Sequence, residues 1–170
     1  MTFSDGGTTL ATAPLSSAGT ATFTASSLAV KSHAITAVYS GDASFNGSTG
    51  SLTQNVQYAI CAQYDQTRSV HSGATFPIKL QLCDAAGNNL SSQSIVLHAT
   101  AILAASGVAG PVQDSGNANP DNDFRNVGGN GSNAGYIFNL DTSGLATGTY
   151  ALQFMVQGDP VQHTVMFGVN

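Results

Sequence analysis

The chain has 170 residues, of which 42% are hydrophobic and 8% are charged, and its net charge is −5. Soluble domains average about 25% charged residues, so this composition suits short strands and polar turns better than long charged helices. Four Lys and Arg residues are too few to form a phosphate-binding patch, which excludes nucleic acid as an expected partner. No apolar run approaches the roughly 18 residues that span a bilayer, so we expect no membrane insertion.

One segment of the chain is repeated. Residues 28–42 and 145–159 align at a constant offset, with leucine at the first position, an aromatic or imidazole ring at the sixth and Gly-Asp at the end. A repeat on this scale indicates two related domains in one chain. Only residues 1–27 precede the first copy, whereas residues 58–144 precede the second within its own domain. We therefore expect the chain to start inside a domain.

Apolar and polar residues alternate in several short segments, and Gly-rich turn signals separate them. In chain order, the predicted strands are residues 20–24, 33–39, 52–56, 76–82, 98–103, 136–140 and 150–156. Short, half-buried strands at such spacing predict an all-β protein made of immunoglobulin-like antiparallel β-sandwiches.

The predicted domain boundary lies near residues 56–58, where one strand ends and another begins without a flexible linker. We therefore divide the chain into a first domain, residues 1–57, and a second domain, residues 58–170. Residues 114–133 are almost entirely Asp, Asn, Gly and Ser and are predicted to form a long polar loop. Loops of this length in compact domains are usually functional or disordered.

The first domain carries several segments of a known repeat. They are Thr2-Phe-Ser-Asp-Gly-Gly, Leu15-Ser-Ser-Ala-Gly-Thr-Ala-Thr-Phe, residues 28–33 and Ile35-Thr-Ala-Val-Tyr-Ser-Gly-Asp-Ala-Ser-Phe. Together they resemble the C-terminal half of a bacterial immunoglobulin-like repeat. The resemblance implies that the first sandwich is truncated at its N-terminus, and that neighbouring repeats of the same kind in the parent chain are partners.

The second domain contains Pro77-Ile78-Lys79-Leu80. It is similar to a C-terminal module of secreted bacterial proteins that is named for a Pro-x-Lys-Phe signature, although leucine replaces the phenylalanine here. The similarity continues through residues 110–121 and Gly148-Thr149-Tyr150. It implies an extracellular, sandwich-like, non-catalytic module with no established ligand.

The chain has two cysteines, Cys61 and Cys83. Each lies on the strand face opposite its apolar neighbours, and a hairpin centred on Ser72-Gly73 would set them directly opposite each other. Cross-strand spacing there fits a disulfide, which we predict. The alternative is two reduced thiols. A zinc site is disfavoured because no histidine lies nearby in sequence.

Five oxygen-bearing side chains recur at short intervals in the polar loop: Asp114, Asn117, Asn119, Asp121 and Asp123. Hard oxygen ligands at such spacing would let one loop surround a calcium ion, although the spacing is not that of an EF-hand. The alternative, which we favour, is that Asp and Asn stabilise turns through local hydrogen bonds. Calcium is the only cofactor kept open, and no other is expected.

Histidines His33, His71, His98 and His163 share no motif, so packing roles are expected for them. Tyr150 follows Leu145-Ala-Thr-Gly-Thr, a pattern typical of the tyrosine corner of sandwich folds. Its hydroxyl is predicted to bond to the backbone near Leu145 or Ala146.

No catalytic motif is present, and the chain has no glutamate. Three tyrosines, Tyr58, Tyr64 and Tyr136, would stack on sugars if exposed, but inward packing is the favoured interpretation. We therefore expect no enzymatic activity and no catalytic residues.

The sequence favours a non-catalytic structural or adhesive module at the C-terminal end of a larger secreted or surface-attached bacterial protein, located outside the cell. The alternative is an accessory module that binds carbohydrate or protein, such as a cell-surface glycan, with or without calcium, and is attached to an upstream enzyme. A hydrolase is a third and weaker hypothesis. No signal peptide is visible, so export would require a signal upstream of Met1.

Overall fold

A computed structural model describes residues 1–104, 107 and 109–170. These residues form two compact units, Met1–Gln57 (unit 1) and Tyr58–Asn170 (unit 2). Both units consist of β-strands, in agreement with the predicted all-β class. The described residues contain one 3₁₀ turn, Pro120–Asn122, and no α-helix. Within this described part, no helix is long and apolar enough to cross a membrane.

Unit 1 is built on a single antiparallel sheet of four strands. In chain order they are β1 (Thr2–Asp5), β2 (Thr8–Thr12), β3 (Lys31–Tyr39) and β4 (Ser48–Val56). The spatial order is β2-β1-β3-β4, so β3 is central and pairs along its whole length with β4. The predicted strands at residues 33–39 and 52–56 are confirmed and are longer than expected.

The predicted strand at residues 20–24 is wrong, because the structure has no strand between Thr12 and Lys31. The segment keeps the alternation in burial that its sequence suggests, with Ala21 and Phe23 turned partly inward. Its Phe23 ring stacks on Phe3 of β1, with the ring centroids 5.7 Å apart. It fails as a strand because no neighbouring strand pairs with its backbone.

Unit 2 is a sandwich of two sheets. Its strands, in chain order, are β5 (Ala59–Ala62), β6 (Ser69–Val70), β7 (Thr75–Cys83), β8 (Leu97–Ala104), β9 (Ala109–Gly110), β10 (Arg125–Val127), β11 (Gly135–Asp141), β12 (Gly148–Val156) and β13 (Gln162–Val169). One sheet has the order β10-β11-β7-β5 and the other β6-β13-β12-β8-β9. Among the described strands of unit 2, the pairs are antiparallel except the short β6–β13 pair, which is parallel and was not expected.

The core of unit 2 lies between its two sheets, and the period-two pattern of the sequence supplies it. In β7, alternate residues from Phe76 to Leu82 are buried, whereas Lys79 faces outward. The inward residues of β11, β12 and β13 join them in one cluster. The predicted strands at 76–82, 98–103, 136–140 and 150–156 are confirmed. The polar loop after β9 contains one unpredicted strand, β10.

The sequence repeat is also a structural repeat. At the constant offset of the repeat, β3 corresponds residue for residue to β12. Both strands are central in their sheets, and each pairs with the strand that follows it, β4 or β13. Gly41 and Gly158 follow them at φ 86° and 83°, a backbone region that favours glycine. The two units therefore share one strand-turn-strand frame.

Candidate functional site

The two cysteines are joined in the structure. Cys61 of β5 and Cys83 of β7 form a disulfide, with their Cα atoms 6.1 Å apart. The predicted register is wrong by two residues, because Cys61 pairs with Gln81 and Cys83 with Ala59. The bond therefore runs diagonally across the ladder. The connection between the strands is not a tight hairpin, since it includes β6, which belongs to the other sheet.

The polar loop is organised around Asn119, a buried side chain. The Asn119 amide nitrogen donates to the Asp114 carboxylate at 2.6 Å and to the Asn139 carbonyl at 3.0 Å. The Asp114 carboxylate also accepts from the Asn119 backbone N–H, and the Asn119 side-chain oxygen accepts from the Asn139 N–H. The structure thus brings two of the five candidate calcium ligands together as a hydrogen-bonded pair anchored to β11.

The other three candidate calcium ligands have different surroundings. The Asp123 carboxylate accepts from Nδ1 of His98, at 2.7 Å. Asn117 and Asp121 adopt left-handed backbone conformations with φ near 60°, as Asn and Asp often do in turns. Within the described residues, no group of three His, Cys, Asp or Glu side chains is arranged to hold a metal ion. This geometry favours the turn interpretation of the loop.

We expect millimolar calcium to leave the melting temperature of unit 2 unchanged. The carboxylates of Asp114 and Asp123 already have protein donors, which calcium would have to displace. Differential scanning calorimetry with calcium or with a chelator tests this, and Asp121→Ala is the matched variant. A calcium-dependent rise in melting temperature that Asp121→Ala removes would restore the calcium hypothesis, with affinity at about 10⁻⁴ to 10⁻³ M.

The predicted tyrosine corner is confirmed in unit 2. The Tyr150 hydroxyl donates to the carbonyl of Ala146 at 2.9 Å. At the equivalent position of unit 1, Nε2 of His33 bonds to the carbonyl of Ala29 at 2.8 Å. The repeat offset relates Ala29 to Ala146, so the histidine ring makes the corner contact that the phenol makes in unit 2.

His33 is buried in unit 1 and has a second partner. Its Nδ1 lies 2.7 Å from the Asp5 carboxylate of β1, and Lys31 lies 3.9 Å from the same carboxylate. Both partners of the ring are acceptors, so the doubly protonated imidazolium satisfies both. The Ala29 carbonyl and the Asp5 carboxylate accordingly raise the pKa of His33 above 6.5. The hydrogen bond from His33 lowers the pKa of Asp5 below 3.8.

These shifts make unit 1 sensitive to pH. A raised histidine pKa stabilises the fold fully below pH 6.5, and this contribution is lost as pH rises through the raised value. The lowered pKa of Asp5 stabilises the fold above pH 3.8, and this contribution is lost as pH falls through the lowered value. We expect unit 1 to lose stability from about pH 6.5 upward. Hydrogen exchange of β3 amides, corrected for intrinsic rates, measures this between pH 5 and pH 9.

His33→Tyr is the matched control, because it installs the residue that unit 2 uses at the same corner. Its hydroxyl can bond to Ala29, but it does not titrate between pH 5 and pH 9. The stability of this variant is expected to be nearly flat in that range. If the stability of this variant depended on pH as steeply as that of the wild type, His33 would not be the source of the pH dependence.

The sequence did not reveal a second buried pair, Asp159 and His163. The Asp159 side chain has no exposed surface, and His163 Nε2 lies 2.9 Å from its Oδ2 atom. The same carboxylate accepts the backbone N–H groups of Tyr58 and Val161. One carboxylate thus holds together the start of unit 2, the turn after β12 and the start of β13. Its only sequence signal was the Gly-Asp that ends the repeat.

Four other carboxylates are held by donors of their own turns. The pairs are Asp42 with the Tyr39 hydroxyl, Asp65 with the Thr67 hydroxyl, Asp84 with the Asn88 amide, and Asp141 with the Ser143 N–H. These hydrogen bonds lower the pKa of each carboxyl group. A general acid needs a raised pKa, so these aspartates are suited to turn formation and not to acid catalysis.

The tyrosines proposed as sugar-stacking rings pack inward. Tyr136 is in the core, and Tyr58 and Tyr64 are partly buried against it. Burial raises the pKa of all three phenols. Among the described residues, the exposed large hydrophobic side chains include one aromatic ring, Phe45 of unit 1, which is 69% exposed. The part of unit 2 that the structure describes therefore presents no row of exposed aromatic rings for carbohydrate stacking.

Comparison with known protein families gives one match. Residues 1–57 match the family model described as bacterial Ig-like domain (group 3). The match covers unit 1 and confirms the resemblance that its sequence indicates. The resemblance of residues 58–170 to the Pro-x-Lys-Phe module stays a prediction. No curated protein matches the chain.

Among solved structures, the chain is similar to the crystal structure of the Lin-41 filamin domain. The identity is 15% and the TM-score is 0.36, over 65% of this chain and 91% of that one.

Proposed function

We propose that the chain is a non-catalytic structural module of a bacterial protein that acts outside the cell. Unit 1 matches a bacterial Ig-like domain, and family models of this kind describe structural and adhesive modules. The observation that carries the proposal is the orientation of functional groups in unit 2. Its candidate stacking rings face the core, and its turn carboxylates are held by their own turns.

The Cys61–Cys83 disulfide supports the extracellular part of this proposal. Disulfides persist in oxidising compartments and are rare in the reducing cytosol of mesophiles. A spacer or stalk also needs rigid units, and the disulfide ties two strands of one sheet of unit 2. The partners proposed on this basis are further Ig-like repeats of a longer polypeptide.

An antibody raised against the chain tests the location. It is expected to label intact cells of the source bacterium or to detect the protein in culture medium. Labelling only after cell lysis would contradict an extracellular role.

We expect the purified chain to show no turnover of glycoside, ester or peptide substrates. The turn aspartates stay ionised because their pKa values are lowered, which leaves no proton to donate at neutral pH. Chromogenic glycosides, esters and peptides provide the assay, and affinity electrophoresis on polysaccharides tests the binding alternative. Turnover that a single Asp or His substitution abolishes would establish a hydrolase, and saturable polysaccharide retention would establish an accessory binding module.

A further inference from the structure

The loop between β10 and β11 contains an asparagine that is followed by glycine. This loop, residues 128–134, reads Gly-Gly-Asn-Gly-Ser-Asn-Ala, and both Asn130 and Gly131 are exposed in it. In such a pair, the backbone nitrogen of the glycine can close a five-membered ring on the side-chain carbonyl carbon of the asparagine. Glycine favours this reaction because it has no Cβ to obstruct the approach and adopts a wider range of backbone conformations than other residues.

The backbone nitrogen of Gly131 is the nucleophile of this reaction. Among the residues that the structure describes, its N–H donates to no acceptor. The local turn is closed by the Gly131 carbonyl, which accepts from the Ala134 N–H at 3.0 Å. Gly131 has φ 103°, and a Cβ built on it would meet no atom within 4 Å. The nitrogen therefore has no hydrogen bond to lose when it reacts, and no neighbouring group obstructs it.

The side-chain carbonyl of Asn130 is the electrophile, and two donors polarise it. Its Oδ1 atom accepts from the Ser92 hydroxyl and from the Gln93 N–H, each at 3.1 Å. Negative charge develops on this oxygen when a nitrogen adds to the carbonyl carbon, and fixed donors stabilise such charge. Within the described part of the chain, the Asn130 side chain makes both of its hydrogen bonds through this oxygen. Its amide nitrogen, which is the leaving group, is not held.

Asn89, which lies beside the same loop, shows the opposite arrangement. Its amide nitrogen donates to three carbonyl groups of residues 128–134, the closest being that of Ala134 at 2.8 Å. Leu90 follows it, so a side chain stands next to the backbone nitrogen that would have to attack. Asn89 is therefore suited to anchoring the loop, whereas Asn130 is suited to reacting.

The other Asn-Gly pair of the sequence, Asn46-Gly47, is more closely packed. A Cβ on Gly41 would lie 2.9 Å from the Gly47 nitrogen, and a Cβ on Gly47 would lie 3.0 Å from the Tyr39 carbonyl oxygen. The backbone on both sides of that nitrogen restricts the movement that ring closure requires. We therefore expect Asn46 to react more slowly than Asn130.

We propose that Asn130 is a site of spontaneous deamidation, in which the Gly131 nitrogen attacks a side-chain carbonyl that Ser92 and Gln93 polarise. The nitrogen gives its proton to water or hydroxide and forms a bond to Asn130 Cγ. The Cγ–Nδ2 bond breaks, and the amide nitrogen takes up a proton and leaves as ammonia. The product is a succinimide ring. This modification goes beyond the structural role proposed above and does not depend on it.

Water then opens the succinimide ring in one of two ways. Cleavage of the bond between the ring nitrogen and Cγ gives aspartate, which keeps an oxygen in place for Ser92 and Gln93. Cleavage of the bond between the same nitrogen and the backbone carbonyl carbon gives isoaspartate, which adds a methylene group to the main chain. Water is the only reactant consumed, nothing is oxidised or reduced, and each product adds one negative charge.

Incubation of the full chain at about pH 8 in water enriched in heavy oxygen tests the proposal, because base assists removal of the proton from the nitrogen. Peptide mass spectrometry is expected to show heavy oxygen in place of the amide nitrogen at residue 130. Chromatography of that peptide is expected to separate an aspartate form from an isoaspartate form. Less modification is expected at Asn46 and at Asn89 in the same sample.

Ser92→Ala removes the hydroxyl donor and leaves the Gln93 N–H in place. We expect it to slow the reaction by about threefold or more, a smaller effect than in an enzyme because water replaces the hydroxyl at this exposed site. Ser94→Ala is the matched control, since the Ser94 hydroxyl bonds to that of Ser92 but does not contact Asn130. Its rate is expected to stay within about twofold of the wild type.

Gly131→Ala tests ring closure directly, and it remains informative if Ser92→Ala does not fold. The added Cβ stands beside the attacking nitrogen, and alanine disfavours the positive φ of this position. We expect the reaction at Asn130 to slow by about tenfold or more. The melting temperature of each variant, measured before incubation, establishes that the chain is folded.

Three results would overturn the proposal. They are no mass gain at residue 130, formation of aspartate without isoaspartate, and equal rates in the wild type and in Gly131→Ala. The second result would indicate direct hydrolysis of the amide without a ring. Two further results would contradict the role of the surrounding structure: equal slowing in the Ser92 and Ser94 variants, and a reaction at Asn46 as fast as at Asn130.

Discussion

Asp159→Ala is expected to destabilise unit 2 by about 3 kcal/mol, because it leaves several buried hydrogen-bond donors without their acceptor. The Asp159 carboxylate is fully buried and accepts from Tyr58, Val161 and His163. Alanine would leave the Tyr58 N–H and the His163 ring without this acceptor. Urea denaturation, monitored by hydrogen exchange of the β7 and β12 amides, measures the loss of stability within unit 2.

Two matched variants test the cause. Asp159→Asn keeps an oxygen that can accept from the backbone but removes the charge opposite His163, so an intermediate effect is expected. Asp42→Ala changes the equivalent aspartate of the repeat, which is exposed and bonds to its own turn, so a much smaller effect is expected. If Asp159→Ala and Asp42→Ala had equal effects on their units, burial would not explain the role of Asp159.

The strands of unit 2 could be predicted from sequence because its two sheets bury alternate residues. In β7 and β12 the apolar period of two directly reflects contact with the opposite sheet. The same period at residues 20–24 predicted a strand that does not form. Alternation reports which side chains turn inward, but a strand also needs a pairing partner, and that partner is non-local.

The contacts that organise the candidate sites were less predictable. The Tyr150 corner lies within a few residues of its acceptor and was visible as a local pattern. The Asp5–His33 pair joins side chains 28 positions apart, and it depends on how β1 pairs with β3. Asp159 looked like an ordinary turn residue because its burial comes from the packing of Tyr58 and His163 around it.

For the two cysteines, the sequence predicted the disulfide but not the register of the strands that carry it. The parity of each strand indicated which face carries Cys61 and Cys83, and the structure joins them. The register could not be derived, because the chain between the strands visits the other sheet through β6 before β7 begins. Alternation fixes the face of a strand but leaves its register to the connection.

Removal of the disulfide is expected to lower the free energy of unfolding of unit 2 by about 3 kcal/mol. The bond closes a loop between residues separated by 22 positions, and its loss increases the conformational entropy of the unfolded chain. Urea denaturation of the Cys61→Ala, Cys83→Ala double variant tests this. Hydrogen exchange of the β7 amides is the probe of unit 2. Alanine is chosen because Cys83 is buried and serine would place a hydroxyl group there.

Reduced and alkylated wild-type protein is the second measurement, and a loss similar to that of the double variant is expected if loop closure is the cause. Unit 1 has no cysteine, so exchange of its β3 amides should stay unchanged in both samples. A stability change below about 1 kcal/mol would show that native strain or residual structure in the unfolded state offsets loop closure. Two alkylatable thiols in the native protein, detected by intact mass, would contradict the disulfide itself. They would also remove the observation that most directly supports an extracellular location.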